Sequence, residues 1–393
     1  MFDVKTETKK QEKCIIDWRR ELHKVPEIGT DLPKTTAIIK AALEEMGYEY
    51  EVFSNSGIKA VLKGGSPGPT IGFRADMDAL PVIEETGLPF SSTNENMHAC
   101  GHDAHAAMLL GAAKILMDHR DSIAGNVVFL FQPAEETTGG AKTMIEEGCM
   151  KDPDIDRFIS FHVGTLFNDV KNGYVGIKRG PMFAGVSSFY ATVRGKGGHG
   201  ARPNECVDPI VISCEIIQAL QKIVSREIPP VHGAVITIGM IKGGTIVNVI
   251  PDEVSFGGTI RTLHDADAAL IKKRLPEMIT GIARANGGDA EVDYFDYYPP
   301  TVNDPEVMEF FAGSAAKIVG PEHIVDIKEP TMGTEDVTYY IREVPGNFAI
   351  LGSSKPFSDG VVYPHHNSKF LIDESVLWIG TSLFVQCAVD YCQ

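Results

Sequence analysis

The chain has 393 residues, of which 43% are hydrophobic and 23% charged, and this composition is typical of a folded globular protein rather than a disordered one. Such a length exceeds what one hydrophobic core usually supports, so two domains, or one domain interrupted by another, are expected. The formal net charge of −17, from 53 acidic and 36 basic residues, repels nucleic acids and anionic membranes, and neither is an expected partner.

The N-terminal segment and the cysteines indicate a cytoplasmic protein. The segment MFDVKTETKKQEKC lacks the apolar core and cleavage site of a signal peptide, and no later apolar run reaches the about 18 residues that span a bilayer. The seven cysteines are an odd number scattered along the chain. This usage argues against a disulfide framework and fits a reducing compartment.

The first half of the chain alternates helical and strand patterns. Helices are predicted at KTTAIIKAALEEM (34–46) and HAAMLLGAAKILMDHR (105–120), and strands at TIGFRAD (70–76), NVVFLFQ (126–132) and RFISFHV (157–163). Buried strands that alternate with helices predict an α/β fold with a mostly parallel, helix-flanked sheet.

From about residue 183 the pattern changes to a ferredoxin-like βαββαβ order. The predicted elements are strand 187–195, helix 208–226, strands 233–241 and 253–263, helix 267–285 and strand 290–296. Tyr297-Tyr298-Pro299-Pro300 is interpreted as the return linker because two prolines interrupt regular structure. A helix near 305–319, a strand at 347–352 and a helix at 374–392 resume the first pattern. The predicted domains are therefore 1–182 with 298–393, interrupted by 183–297.

The densest group of potential metal ligands is MHACGHDAH (97–105), which contains Cys100, His102, Asp103 and His105. Each of these side chains can bind a transition metal, and Cys-x-His on a loop before a helix can direct two ligands to one point. Two other interpretations stay open at this stage. One is a helix-capping aspartate with incidental histidines, and the other is a cysteine nucleophile paired with His102.

Two acidic residues and two histidines add to this group. Glu135 and Glu136 in FQPAEE directly follow a predicted buried strand, where α/β proteins commonly place ligands. One carboxylate can bind a metal while its neighbour moves a proton, although such a pair is often only a solvated helix start. His162 in ISFHVG and His366 in PHHNSKF would complete a two-metal site, although a lone histidine is more often a structural residue.

The predicted insert carries three polar residues that could meet a ligand. His199 lies in the glycine-rich GKGGHGARP (195–203), Asn248 in GGTIVNVIPD (243–252), and Arg261 in TIRTL. Glycine-rich turns let the backbone approach a ligand closely, and a simple hairpin explains the same spacing equally well. An arginine can bind a carboxylate through two hydrogen bonds, but on a strand it is commonly a surface residue.

Taken together, the motifs resemble the aminoacylase and carboxypeptidase superfamily of metallopeptidases. The resemblance is greatest to its branch of hippurate hydrolases, N-acetyl-diaminopimelate deacetylases and plant auxin-conjugate hydrolases, and it extends in order from about residue 15 to 375. The motifs that carry it are WRRELHKVPEIG (18–29), FRADMDALPVIEETG (73–87), MHACGHDAHAAMLLGAA (97–113), VVFLFQPAEETTGGA (127–141), GKGGHGARP, GGTIVNVIPD, GTEDVTYY (333–340) and HHNSKFLIDE (365–374).

The resemblance implies two divalent metal ions per subunit, Zn²⁺ or Mn²⁺ with Co²⁺ or Ni²⁺ as alternatives. It makes Cys100 the bridge between the ions and Glu135 the general base. His366 is chosen over His365 because HNSKF fits the family's His-Asn-x-x-aromatic pattern, although the family usually has proline in place of Ser368. The implied ligands are Cys100, His102, Glu136, His162 and His366.

The resemblance also implies that the insert is a lid and dimerisation domain. His199 would stabilise the oxyanion in the partner subunit's site, and Asn248 and Arg261 would bind the substrate carboxylate. A homodimer, or a higher oligomer, is therefore expected. Asp76 lies where another branch of the superfamily has His-x-Asp, and here it follows Arg74-Ala75, so it is expected at most to support the site.

The predicted reaction is metal-dependent hydrolysis of the amide bond of N-acyl amino acids. A dipeptidase or carboxypeptidase of the same superfamily is the alternative within this chemistry. Outside it stand a cysteine amidase that uses Cys100 and His102, and a non-catalytic binding homologue. The last of these would be expected to have lost one or more of the ligand residues, and all five are present.

Overall fold

The computed structural model describes residues 2–137 and 139–393, and the chain forms two units. The first comprises the chain up to Gly180 with Val302–Glu329 and Asp336–Gln393, and the second comprises Pro181–Thr301 with Pro330–Glu335. The second unit therefore interrupts the first in sequence.

The regular elements are numbered in chain order. The α-helices of the described residues are α1 (Val4–His23), α2 (Pro33–Glu45), α3 (His102–Asp118), α4 (Gly140–Glu146), α5 (Pro209–Lys222), α6 (Asp265–Ala285), α7 (Pro305–Val319), α8 (Thr338–Glu343) and α9 (Leu377–Tyr391). Their strands are β1 (Tyr50–Phe53), β2 (Gly57–Lys63), β3 (Ser66–Asp76), β4 (Ala124–Gln132), β5 (Arg157–Gly164), β6 (Val175–Ile177), β7 (Gly180–Phe183), β8 (Gly185–Arg194), β9 (Gly198–His199), β10 (Ala234–Gly243), β11 (Val249–Ile250), β12 (Glu253–Thr262), β13 (Asp289–Tyr298), β14 (Thr301–Asn303), β15 (Ile324–Asp326) and β16 (Gly346–Gly352).

An eight-stranded sheet in the order β1-β2-β4-β3-β5-β16-β6-β15 forms the centre of the first unit. The block β4-β3-β5-β16 is parallel throughout, and β15 is parallel to β6, whereas β1–β2, β2–β4 and β16–β6 are antiparallel. Helices pack against this sheet, so the predicted helix-flanked, mostly parallel sheet is confirmed. The carboxyl ends of its four central strands share one edge, where open α/β sheets bind ligands.

Helix α3 is buried around almost its whole circumference because small and aliphatic residues occupy nearly every position. Ala106, Ala107, Leu109 and Leu110 have no exposed surface, and a helix that is apolar on all sides belongs in a protein interior. The polar residues in its first turn are thereby also buried. Among the described residues, no helix has the length and apolarity needed to cross a membrane.

The second unit contains a four-stranded antiparallel sheet in the order β10-β12-β8-β13. Its chain order is β8, α5, β10, β12, α6, β13, so the predicted ferredoxin-like βαββαβ unit is confirmed. Residues of both helices and the sheet form one buried cluster, which includes Phe189, Ile216, Phe256, Ile271 and Leu275. This unit therefore has a hydrophobic core of its own.

The structure corrects the interpretation of one linker. The sequence predicts that Tyr297 and Tyr298 belong to the return linker, but β13 continues to Tyr298, which pairs with Val186 after an irregularity between Asp296 and Tyr298. Aromatic residues favour strands, and the prolines interrupt the sheet only after them. The return linker therefore begins at Pro299 and not at Tyr297.

Candidate metal centre

The predicted ligands of the first unit lie at the carboxyl edge of the parallel block. His162 is in the last residues of β5, Glu135 and Glu136 lie in the turn after β4, and His366 follows β16. Cys100 lies just before α3, and His102 is the first residue of that helix. The sheet topology therefore brings together segments that are far apart in sequence.

Gly101 makes the sharp turn between Cys100 and His102. Its φ is +92°, and a Cβ there would lie 2.8 Å from side-chain atoms of both Ile372 and Val163. An L-residue is disfavoured at this φ, and the added carbon would have no room. Glycine therefore allows the two predicted ligand residues to enter one buried space.

Cys100 is shared by two groups of potential ligand atoms. Its Sγ lies 3.4 Å from His162 Nε2 and 3.5 Å from His365 Nδ1. Ligand atoms of Cys100, His102 and Glu136 form a second group within 4.8 Å of one another. Two groups that share a thiol provide the donor set for two cations with one sulfur between them.

The His102 side chain supports this interpretation. His102 is fully buried, but its Nε2 makes no hydrogen bond, although buried polar atoms nearly always have a partner. The carboxylate oxygens near this Nε2 are Asp76 Oδ2 at 3.5 Å and Glu136 Oε1 at 3.9 Å. A cation held by Nε2 and Glu136 would satisfy this buried nitrogen, so the residues fit a metal ion.

The electrostatics of the centre are strongly negative. Burial by itself lowers the pKa of His102, but Asp76 and Asp78 outweigh it and raise that pKa to about 10. Burial, reinforced by the nearby carboxylates of Glu136 and Glu135, raises the pKa of the Cys100 thiol well above its usual value. The carboxylates around Cys100 and His102 are those of Asp76, Asp78, Glu135 and Glu136. Such a group of negative charges in one buried pocket attracts cations.

The structure places His365 and His366 on different sides of the centre. His366 Nε2 lies 3.1 Å from Glu136 Oε1, and its side chain is 53% exposed. His365 directs Nδ1 toward Cys100, and its Nε2 accepts a hydrogen bond of 3.1 Å from the Thr165 N–H. A Cβ at Gly164 would lie 2.0 Å from His365 Nε2, so this glycine makes room for the ring. Sequence reasoning chose only His366.

Asp78 is a second residue that sequence reasoning missed. Its Oδ1 and carbonyl oxygen lie 3.2 and 3.1 Å from His102 Nδ1, and its Oδ2 accepts a hydrogen bond from the Glu136 N–H. It therefore orients two predicted ligands. The available signal was the spacing of Asp76 and Asp78, the first at the end of the buried strand β3 and the second two residues later, which brings both carboxylates to the edge of the sheet.

His105 and Asp76 contact each other next to the predicted ligand His102. His105 Nε2 accepts a hydrogen bond of 2.9 Å from the Val163 N–H, so its Nδ1 carries the proton that it donates to Asp76. Asp76 also forms an ion pair of 2.8 Å with Arg74. Both nitrogens of His105 therefore have hydrogen-bond partners. Asp76 contacts His105 and Arg74, which is compatible with the supporting role expected for it from the sequence.

Glu135 is 9% exposed in the turn after β4. One of its carboxylate oxygens lies within 4.8 Å of an oxygen of Asp336. Burial raises the pKa of Asp336 to about 6, and Arg74 and Gln132 hydrogen-bond to that carboxylate. Glu135 thus lies beside the predicted ligand Glu136 and in a cluster of polar groups.

The three predicted residues of the insert lie in the second unit. His199 on β9 pairs with Val249 of β11, and the Gly200 N–H donates a 2.9 Å hydrogen bond to Asn248 O. His199 and Asn248 are therefore close to each other, and both are exposed. Arg261 is on β12, where its Nη1 donates a hydrogen bond of 3.3 Å to Met332 O.

Comparisons with known proteins agree with this chemistry. The model of peptidase family M20/M25/M40 matches residues 72–390. The N-acetyl-L-cysteine deacetylase of Bacillus subtilis is 40% identical, over 93% of this chain and 85% of that protein. The IAA-amino acid hydrolase ILR1-like 4 of Arabidopsis thaliana is 38% identical, over 95% and 86% of the two chains. Thermostable carboxypeptidase 1 of Saccharolobus solfataricus is also 38% identical, over 99% and 98%.

Two solved structures are similar over almost their whole length. A protein from methicillin-resistant Staphylococcus aureus, described as an aminohydrolase, has a TM-score of 0.92 and 38% identity, with 99% of each chain covered. A dinuclear metal-binding M20 peptidase of Bacillus subtilis has a TM-score of 0.84 and 32% identity, with 98% of this chain and 99% of that chain covered. The present chain belongs to peptidase family M20/M25/M40 and is a metal-dependent hydrolase of amide bonds.

Proposed function

We propose that this enzyme hydrolyses N-acyl amino acids at a centre of two divalent metal ions, with Glu135 as the general base. The observation that carries the proposal is the sharing of Cys100 by two donor groups, next to the adjacent carboxylates of Glu135 and Glu136. The deacetylase and amino acid hydrolase among the relatives support the substrate class.

The proposed ligands are Cys100 as the bridge together with His102, Glu136, His162 and His366, and His365 is a further candidate beside Cys100. Two bound divalent ions would polarise the scissile carbonyl and make water more acidic. Glu135 would take a proton from the attacking water and pass it to the nitrogen of the departing amino acid. Asp78 holds His102 and the Glu136 backbone in place for this reaction.

Residues of the insert have a separate proposed role in recognising the substrate. The guanidinium of Arg261 would bind the substrate carboxylate through paired hydrogen bonds, with Asn248 beside it. His199 would donate a hydrogen bond to the oxyanion in the partner subunit's site. Its exposure and its position next to Asn248 support this role.

A homodimer formed through the second unit is part of the proposal, with residues 183–297 as the lid and dimerisation domain and 1–182 with 298–393 as the catalytic domain. Strand β10 is at the edge of its sheet, and Ile241, Ile246 and Val247 are 51%, 60% and 105% exposed. An edge strand flanked by exposed aliphatic side chains is suited to pairing with a second copy. A higher oligomer could be built on the same contact.

A cytoplasmic location and the identity of the ions complete the proposal. Every cysteine is free, which is usual in a reducing compartment. Zn²⁺ or Mn²⁺ is proposed for the centre, with Co²⁺ or Ni²⁺ as alternatives, because thiolate, imidazole and carboxylate ligands accept all four. The carboxypeptidase relative makes cleavage of C-terminal residues from peptides the second candidate function.

A substrate panel on the metal-reconstituted enzyme tests the proposal. The chelator-treated enzyme should be inactive and should regain activity with Zn²⁺, Mn²⁺, Co²⁺ or Ni²⁺ on N-acetyl, N-benzoyl and N-indoleacetyl amino acids. Faster cleavage of unblocked dipeptides or of longer peptides would favour the peptidase alternative. Activity that survives chelation and is lost on thiol alkylation would instead establish a cysteine amidase and overturn the metal mechanism.

A further inference from the structure

A second cluster of metal-binding side chains lies in the second unit and has no part in the proposed reaction. Ligand atoms of His232, His264 and Asp267 lie within 4.8 Å of one another. His232 Nδ1 is 2.8 Å from Asp267 Oδ2. The rings of His232 and His264 have centroids 3.9 Å apart and an interplanar angle of 31°.

The backbone brings these three residues together independently of their side chains. Strands β10 and β12 pair Ala234 with Thr262. His232 and His264 each lie two residues outside this pair, on the two chains that leave the same end of the sheet. Asp267 follows in the first turn of α6. The cluster therefore joins the ends of two strands and the start of a helix.

The burial and charge of the cluster favour a bound cation. Asp267 is 4% exposed, and a buried carboxylate is costly unless its charge is compensated. His264 is the N-cap residue of α6, and its side chain makes no capping hydrogen bond, so its ring nitrogens are not used to cap the helix. The positive end of a helix repels cations, and two acidic residues in this turn, Asp265 and Asp267, oppose that effect.

We propose that His232, His264 and Asp267 bind one divalent transition ion of the zinc class, at a site separate from the catalytic centre. Two imidazoles and a carboxylate suit Zn²⁺, whose bonds to such ligands are about 2.0–2.2 Å long. Tetrahedral ligands at that distance lie about 3.3 Å apart, so small side-chain rotations bring the three atoms into position. The side chain of His232 is 29% exposed, which leaves the fourth position to water.

Such an ion would connect β10 and β12 to α6 and stabilise the second unit. Binding to the folded state alone raises the free energy of unfolding. The ion would stabilise the second unit and would take no part in the reaction, because none of the three residues is among the proposed catalytic or substrate-binding residues. The failure of this proposal would therefore leave the proposed function untouched.

Zinc titration of the holoenzyme tests the site, with calorimetry and elemental analysis as the measurements. The wild-type enzyme should bind one more Zn²⁺ per chain than His264→Gln, and binding in the variant should be at least tenfold weaker. Added Zn²⁺ should raise the melting temperature of the wild type and have a smaller effect on the variant. His323→Gln, which removes a partly exposed imidazole from the first unit, is the matched control and should behave as the wild type.

His232→Gln and Asp267→Asn serve as independent variants, so that a folding defect in one does not decide the result. Each variant is checked by circular dichroism and by amide hydrolysis, which should match the wild type. Equal zinc uptake by the wild type and by a folded variant of the cluster would overturn the proposal. The pair of His232 and Asp267 would then be only a structural hydrogen bond.

Discussion

Glu135 and Glu136 are neighbours in sequence, but their carboxylates lie near different groups. Glu136 lies 3.1 Å from His366 Nε2 and 3.9 Å from His102 Nε2, whereas Glu135 lies near Asp336. The adjacent positions place one carboxylate among the proposed ligands and the other beside them. A substitution of Glu135 should therefore affect proton transfer without removing a proposed metal ligand.

Glu135→Gln should retain both metal ions and the fold but lose most turnover. Removal of a general base typically costs about 10²–10⁴-fold in rate. Elemental analysis and kcat on an N-acyl amino acid measure the two effects. Glu146→Gln, on the exposed side of α4, is the control. A Glu135→Gln enzyme with wild-type turnover would remove this residue from its proposed role.

Asp78→Asn should weaken metal binding because Asp78 orients His102. Loss of a carboxylate that positions a metal-binding histidine costs about 10–100-fold in metal affinity. Activity should recover at a high metal concentration, which a damaged fold would not allow. Metal titration monitored by activity and by calorimetry gives both readouts. Asp121→Asn alters a carboxylate that is 93% exposed and should leave the affinity unchanged.

At the scale of elements, helix α7 shows how a local signal fixes a boundary. Its predicted range of 305–319 is the observed range. Asp304 is the N-cap, and its Oδ1 accepts hydrogen bonds of 2.9 Å from the Glu306 and Val307 N–H groups. Pro305 occupies the first turn, where its missing N–H costs nothing.

Asp304→Ala should lower the free energy of unfolding by about 1 kcal/mol, because it leaves two N–H groups at the start of α7 without their acceptor. Urea unfolding followed by circular dichroism measures the change. Asp304→Asn retains a capping oxygen and should lose only a small part of that stability. Equal stability of the alanine and asparagine variants would argue against the cap.

Helix α1 is the longest of several elements that the sequence analysis did not predict. Many of its residues are charged, and its buried stripe includes Arg19 and His23. These two side chains contact Asp103 of α3 at 2.8 and 2.7 Å. From sequence alone, such polar residues suggest a solvated face. Only the position of Asp103 in three dimensions explains why they are buried.

At the scale of the molecule, the proposed dimer has a consequence for catalysis. If His199 completes the partner's site, each active site needs Glu135 from one chain and His199 from the other. His199→Ala and Glu135→Gln should both be nearly inactive as homodimers. Mixed dimers should regain activity, because one of their two sites then has both intact residues.

Mixing the two variants and assaying hydrolysis tests this arrangement, with the mass of the dimer determined by analytical ultracentrifugation. Val247→Asp places a charge in the exposed aliphatic patch and should shift the dimer toward monomer. Val361→Asp, at a position of the first unit that is 48% exposed, is the control. Wild-type activity in monomeric Val247→Asp would rule out a contribution of His199 from the partner.

The sequence by itself determined the fold class, the ferredoxin-like insert and the family. The fold class and the insert follow from local signals, because side-chain periodicity distinguishes strands from helices and the order of elements restricts the topology. The family follows from the resemblance of the motifs. Each predicted helix and strand has a counterpart in the structure, although the limits of most differ by a few residues; the α-helix predicted at 208–226, for example, ends at Lys222. The motifs around Cys100 and Glu136 also indicated metal chemistry before any coordinates.

Only the tertiary structure decided which polar groups meet. The contact of His365 with Cys100 depends on the space beside Gly164. The contact of His102 with Asp78 depends on how the segment between β3 and α3 brings the start of α3 back to the end of β3. The cluster of His232, His264 and Asp267 likewise depends on strand pairing. Periodicity specifies the face on which a residue lies, but a contact between distant segments is set by packing of the whole chain.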